Sequence, residues 1–198
     1  GSVQTDPEGR GAVSLISANP LPADGIGIVT ATTADKDNVQ VLGRTPVIFS
    51  GIPVVTLSPL TVAVGTTYNF SVTDQNGNPL VEGTTIDADV QGTAVKAVGH
   101  TSLELPDSGF SGGMEWQNVI RGSGITNFVM RAVENVDPIA SNPATPVVEA
   151  VIISVAGPNG RLEIVLGAAG KQGGISTSRD AIVTHLPDGS VRVQAAQR

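Results

Sequence analysis

Apolar and polar residues alternate in short runs along most of the chain. In residues 67–72 (TYNFSV), Tyr68, Phe70 and Val72 fall on one side, and Thr67, Asn69 and Ser71 on the other. Residues 85–90 (TIDADV) set Ile86, Ala88 and Val90 against Asp87 and Asp89. Residues 161–166 (RLEIVL) collect Leu162, Ile164 and Leu166. A period of two predicts strands with one buried and one wet face. Short β-branched runs recur about every ten residues, at GIGIVTATT, PVIFSG, NFVMRAV and VEAVIISV, and helix periodicity is almost absent.

Turns punctuate the same pattern. Asp6-Pro7-Glu8-Gly9, Gly157-Pro158-Asn159-Gly160 and Leu186-Pro187-Asp188-Gly189 share one plan. Proline presets φ for the first central position, and glycine supplies the positive φ that follows. The run AIVTHLPDGSVRVQ at 181–194 is therefore predicted to be a hairpin. The other two are hairpins or turns leading into a strand. Residues 28–51 and 127–157 repeat a faint plan: strand, charged turn, loop with proline, strand ending in glycine. That plan predicts tandem sandwiches with a boundary near Gly51-Ile52-Pro53.

Composition narrows the classes. A chain of 198 residues implies one or two domains. It is 40% hydrophobic but 3% aromatic, so the core is expected to be Val, Ile, Leu and Ala, which suits sheet packed on sheet. Gly 24 and Pro 13 argue against helices. The net charge of −7, with scattered Lys and Arg, argues against nucleic acid or an anionic membrane surface as partner. No apolar run is long enough to span a bilayer, and the N-terminus has no signal-peptide pattern. Gly1-Ser2 reads equally as a cloning scar or as native sequence. Cysteine is absent, which removes disulfides, Cys-ligated zinc and thiol nucleophiles.

GRGAVSLIS, PADGIGIVTATT and TPVIFSG resemble the closing strands of bacterial immunoglobulin-like (Ig-like) domains, the modules of invasin- and intimin-type adhesins. VAVGTTYNFSVTDQNGNPLVEGTTI resembles the opening half of such a domain, with an alternating strand running into an Asp-x-Asn-Gly-Asn-Pro turn. The likeness covers roughly 9–100 and 125–157. It implies an all-β, Greek-key β-sandwich in a multi-domain extracellular or cell-surface chain, with a spacer or adhesive role and no catalysis. The expected division is a partial Ig-like domain at 1–51, a complete one at 52–166, and a Gly-rich linker with a hairpin tail at 167–198. Two features depart from the family plan: only eight residues precede Gly9, and 95–124 carries a long Gly-rich insertion.

Several residues are candidates for chemistry. Asp74, Asn76 and Asn78 have the i, i+2, i+4 spacing of a calcium loop. The bidentate Glu expected at its twelfth position is Thr85 here, and Asn-Gly favours a tight turn. A structural turn is the expectation, and calcium between this turn and a second one at Asp35, Asp37 and Asn38 is the rival. Asp87 and Asp89 share an exposed strand face, whereas glycosidases need carboxyls facing across a sugar. His100 and His185 sit in no metal-spaced motif, and no Gly-x-Ser-x-Gly elbow occurs. GAAGKQGG at 167–174 lacks the ending and the following helix of a phosphate loop, and reads as a linker. Lys36, Lys96 and Lys171 are the lysines, and an Ig-like isopeptide through a buried Lys96 is a minor alternative. Phe110, Met114 and Trp116 lie in the insertion. They are candidate ligand-binding contacts, or else a cap on the sandwich end.

The expected function is a non-enzymatic extracellular Ig-like structural or adhesive module, with no metal and no cofactor. Its partners would be other chains or adjacent domains, with self-association as an option. The alternatives are a filament subunit joined by strand exchange, and a carbohydrate-binding module using Trp116. Residues 9–51 supply three strands with open apolar faces: Val13 and Leu15, Ile26 and Ile28, Val47 and Phe49. The hairpin 180–194, within the chain or from a neighbour, is the expected completion of that half-domain, and a segment preceding these residues is the alternative.

Overall fold

A computed structural model describes residues 1–16, 22–34, 37–106, 126–137, 143–167, 174–178 and 181–196. Among them lie thirteen strands and no helix. In order they are β1 (Ile26–Ala34), β2 (Gln40–Ile48), β3 (Pro53–Ser58), β4 (Thr67–Asp74), β5 (Thr85–Thr93), β6 (Val95–Gly99) and β7 (Ser102–Glu104). They continue with β8 (Asn127–Glu134), β9 (Val147–Gly157), β10 (Gly160–Gly167), β11 (Ile175–Thr177), β12 (Ala181–His185) and β13 (Val191–Ala195). A five-stranded sheet has the order β11-β10-β9-β5-β7, and a six-stranded sheet the order β12-β13-β3-β4-β8-β6. β1 and β2 form a separate hairpin. Every pairing is antiparallel.

The alternation read from the sequence decides what is buried. Tyr68, Phe70 and Val72 of β4 point into one core cluster with Ile86, Ala88 and Val90 of β5 and Leu162, Ile164 and Leu166 of β10. Both large sheets supply that cluster, so they form a β-sandwich-like pair. Among the described residues its aromatic members are Tyr68, Phe70 and Phe128, and the last two rings stack at 5.3 Å. The Tyr68 hydroxyl reaches out of the core and donates to the Thr61 carbonyl at 2.9 Å. Burial raises the Tyr68 pKa above its ordinary value, against the hydrogen bonds around the hydroxyl.

One strand changes sheet. The β5–β9 register shifts at Gln91/Gly92, Ala94 has φ of 51°, and the chain passes from the five-stranded sheet into β6 of the other. Gly92 is needed there: a Cβ would lie 2.0 Å from the Val147 carbonyl oxygen. Bulges and left-handed residues of this kind are how a strand bends between layers.

Three expectations change. The tail hairpin forms, with the Leu186–Gly189 turn closed by Gly189 N–H donating to Leu186 O at 3.0 Å. Among the described residues it does not pair with any of 9–51. β13 pairs with β3, setting Val191 beside Leu57 and Val193 beside Val55, and both tail valines enter the sandwich core. Their alternation finds a larger apolar surface there than the hairpin offers. Second, residues 11–16 form no strand. Val13, Leu15 and Ile16 stay exposed, because a strand needs a neighbour to bond. Third, 28–51 and 127–157 share no common structure: β1 and β2 pair with each other, whereas β8 and β9 belong to different sheets.

Candidate functional site

A dense set of hydrogen-bonded polar side chains lies where the β1–β2 hairpin meets the sandwich, and the turn at 74–78 is its centre. β4 ends at Asp74, whose side chain is fully buried. Asp74 Oδ1 accepts the N–H groups of Asn76 and Asn78, each at 2.8 Å. Asp74 Oδ2 accepts Gly51 N–H at 3.0 Å and Asn78 Nδ2 at 3.3 Å. The backbone closes beneath, with Asp74 N–H donating to Asn78 O at 2.8 Å and Gly77 N–H to Asp74 O at 3.1 Å. Gly77 takes φ of 83°, the conformation for which Asn-Gly is suited. Four donors therefore meet the charge of this buried carboxylate, which is how such a group survives away from water.

The same turn grips the segments flanking the hairpin. Asn78 Nδ2 also donates to the Asp24 carbonyl at 2.8 Å, just before β1. Ile52 N–H donates to Gln75 Oε1 at 2.8 Å, and Ser50 Oγ to Pro79 O at 2.7 Å, just after β2. From the β9–β10 turn, Asn159 Nδ2 donates to the carbonyls of Ser50 and Gly51. Glycine is favoured at two of these contacts, by its backbone conformation at Gly25 and by the close approach of the Gln75 side-chain end at Gly51. At Gly25, with φ of 72°, a Cβ would sit 2.8 Å from Asn78 Nδ2, and at Gly51 it would sit 2.1 Å from Gln75 Oε1. Asn78 Oδ1 is buried without a partner, the one unmet side-chain acceptor found among the described residues.

What this arrangement does is hold. Both carboxylate oxygens of Asp74 accept N–H groups, which is the hydrogen bonding of a structural turn. Among the described residues no group of three or more His, Cys, Asp or Glu could hold a metal ion. Asp35 lies outside the described residues. Asp37 and Asn38 are exposed, and Asn38 has φ of 62°.

The other sequence candidates are dispersed. Asp87 and Asp89 lie side by side on the exposed face of β5, where Asp87 Oδ1 accepts from Ser102 Oγ at 2.7 Å. His100 Nδ1 accepts Val129 N–H at 2.9 Å, and its ring stands edge-on to Phe128, so it works as an edge cap on β8. His185 is exposed on β12, at the rim of a cleft of about 320 Å³ lined by Leu60, Leu166, Ile175 and Val183. Lys96 is exposed on β6, so the isopeptide reading fails at this residue. Lys36 and Lys171 lie outside the described residues, as do Phe110, Met114 and Trp116.

Sequence reasoning missed Asp24, Ser50, Gln75 and Asn159 as members of the clamp. Asn159 carried a signal, as a turn residue, but only for its backbone. Gly51 was visible as a boundary residue, not as a point of close approach, and Gly25 was not singled out. No known family, no curated protein and no solved structure matches the chain.

Proposed function

We propose that the chain is a non-enzymatic, extracellular Ig-like module with a structural or adhesive role in a bacterial surface or secreted protein. The observation that carries this reading is the fate of the most ligand-like cluster. Asp74 and Asn78, with Gln75 between them, join one structural unit to the next: Asp74 through Gly51, Gln75 through Ile52 and Asn78 through the Asp24 carbonyl. A spacer needs that kind of joint, because it must fix the angle between neighbouring units. The Ig-like, Greek-key reading draws on the connections that cross between the sheets, from β4 to β5 and from β8 to β9.

Antibodies raised against the folded chain test the reading on cells of its source. A surface or secreted module is labelled on intact cells or found in the medium. Labelling that requires permeabilised cells overturns the extracellular assignment.

A further inference from the structure

The two edges of the β1–β2 hairpin are unlike. Phe49 N–H donates to Gly25 O at 2.7 Å, so this pair bonds across the hairpin. Counting by twos along the register that runs from Ile26↔Ile48 to Ala34↔Gln40 puts Gly27, Val29, Ala31 and Thr33 in the same class. Ile28, Thr30, Thr32 and Ala34 then aim N–H and C=O away from β2. So does Ile26, but Asp24 Oδ1 takes its N–H at 3.0 Å. On β2 the outward positions include Arg44 and Pro46, a charge and a residue without N–H, which are ordinary guards of a sheet edge. β1, IGIVTATTA, has neither. Among the described residues no strand except β2 pairs with it.

We propose that the outer edge of β1 pairs antiparallel with the same edge of a second copy of this chain, about a twofold axis at Ala31. The two hairpins would become one four-stranded sheet. This register sets Ile28 opposite Ala34 of the other copy, and Thr30 opposite Thr32. Every outward N–H left free by the Asp24 cap then meets a carbonyl. The strand is self-complementary: it carries no charge, so no like charges meet at the axis, and Thr beside Thr is a favourable cross-strand pair. Ile28, 48% exposed, gains cover. Twofold pairing also closes the edge, leaving the guarded β2 strands outermost. This interface goes beyond the structural-module reading, and a chain that stays single would overturn it while leaving that reading in place.

Sedimentation equilibrium on the full chain tests the pairing. An edge-to-edge interface is small, so the range should extend to about 1 mM. The expected mass approaches that of two chains. Thr32→Pro removes one outward N–H and leaves the β1–β2 ladder bonds, as Pro46 does on β2, and should weaken association about tenfold or more. Thr30→Lys keeps every backbone donor but brings like charges to diagonal positions, and should weaken it too. The chain has no cysteine, so Ala31→Cys gives a clean probe. Facing Cα atoms at the axis would lie about 4.5 Å apart, within disulfide reach. It should oxidise to a dimer faster than Leu42→Cys on β2. Exchange protection at the Ile28, Thr30 and Thr32 amides should rise with concentration. A single-chain mass at about 1 mM overturns the proposal, and so does a mass that grows past two chains. Equal oxidation of the two variants would also sink it. Protection independent of concentration would mean that the same chain covers the edge, for instance with residues 11–16, and would overturn it as well.

Discussion

Replacing Asp74 with alanine should loosen the joint between hairpin and sandwich. The substitution strands the N–H groups of Gly51, Asn76 and Asn78, and frees the Asn78 side-chain amide. A hydrogen bond to a charged group contributes about 1.5–3 kcal/mol, and a buried donor left unmet costs about 1–3 kcal/mol. Asn78 is fully buried, so its donor finds no water. Gly51 and Asn76 are half-buried and recover part of their loss by hydration. The net loss should be about 3–5 kcal/mol, a large share of the roughly 5–15 kcal/mol that stabilises a domain. Asp74→Asn keeps the shape and one acceptor, but turns a donor toward Gly51 N–H, so it should recover only part of the loss. Urea denaturation followed by circular dichroism reads the change, and exchange at the Gly51 and Ile52 amides should accelerate before global unfolding. A loss below about 1 kcal/mol for Asp74→Ala, with unchanged exchange at Gly51, would refute the clamp.

Gly25→Ala should cost about 1–3 kcal/mol, because the residue has positive φ and the new methyl meets Asn78 Nδ2. Gly77→Ala, also at positive φ but with open space around it, should cost less, and the difference in urea midpoint isolates the contact. Tyr68→Phe removes the bond to the Thr61 carbonyl and should lower stability by about 1 kcal/mol, with the core ring retained. The Asp188 carboxyl is held below the ordinary Asp value by hydrogen bonds from the Ser190 side chain and backbone. A depressed folded pKa means its contribution is full above the unfolded value and is lost as pH falls through the folded one. Carbon-13 titration should show Asp188 ionising at lower pH than exposed aspartates, and Ser190→Ala should move it back toward them.

The alternation around Tyr68, Ile86 and Ile164 is local, so the strand faces and the hairpin at 181–195 could be read directly, and all three side chains are buried as the pattern requires. Pairing is not local. Nothing near Val191 says that it will lie beside Leu57, more than a hundred residues earlier in the chain, and the tail was therefore expected on the wrong partner. The segment 11–16 has strand composition without a strand, because propensity does not supply a neighbour to bond. For the clamp, the Asp-x-Asn-Gly-Asn spacing announced a turn. That the turn also reaches Gly51 and Asp24 depends on tertiary placement, which side-chain spacing does not encode.

The cluster at 74–78 joins hairpin to sandwich, and calcium titration watched at the Gly51, Asn76 and Asn78 amide resonances tests most directly whether it is a structural turn or a cation loop. Asn78 Oδ1 is the buried acceptor there without a hydrogen-bond partner, so it is the oxygen most open to an ion. The expected result is unchanged resonances at all three amides, with the same melting temperature in calcium and in chelator. Saturable shifts at these amides, together with a melting temperature that rises with calcium, would contradict it, since binding to the folded state alone must stabilise that state.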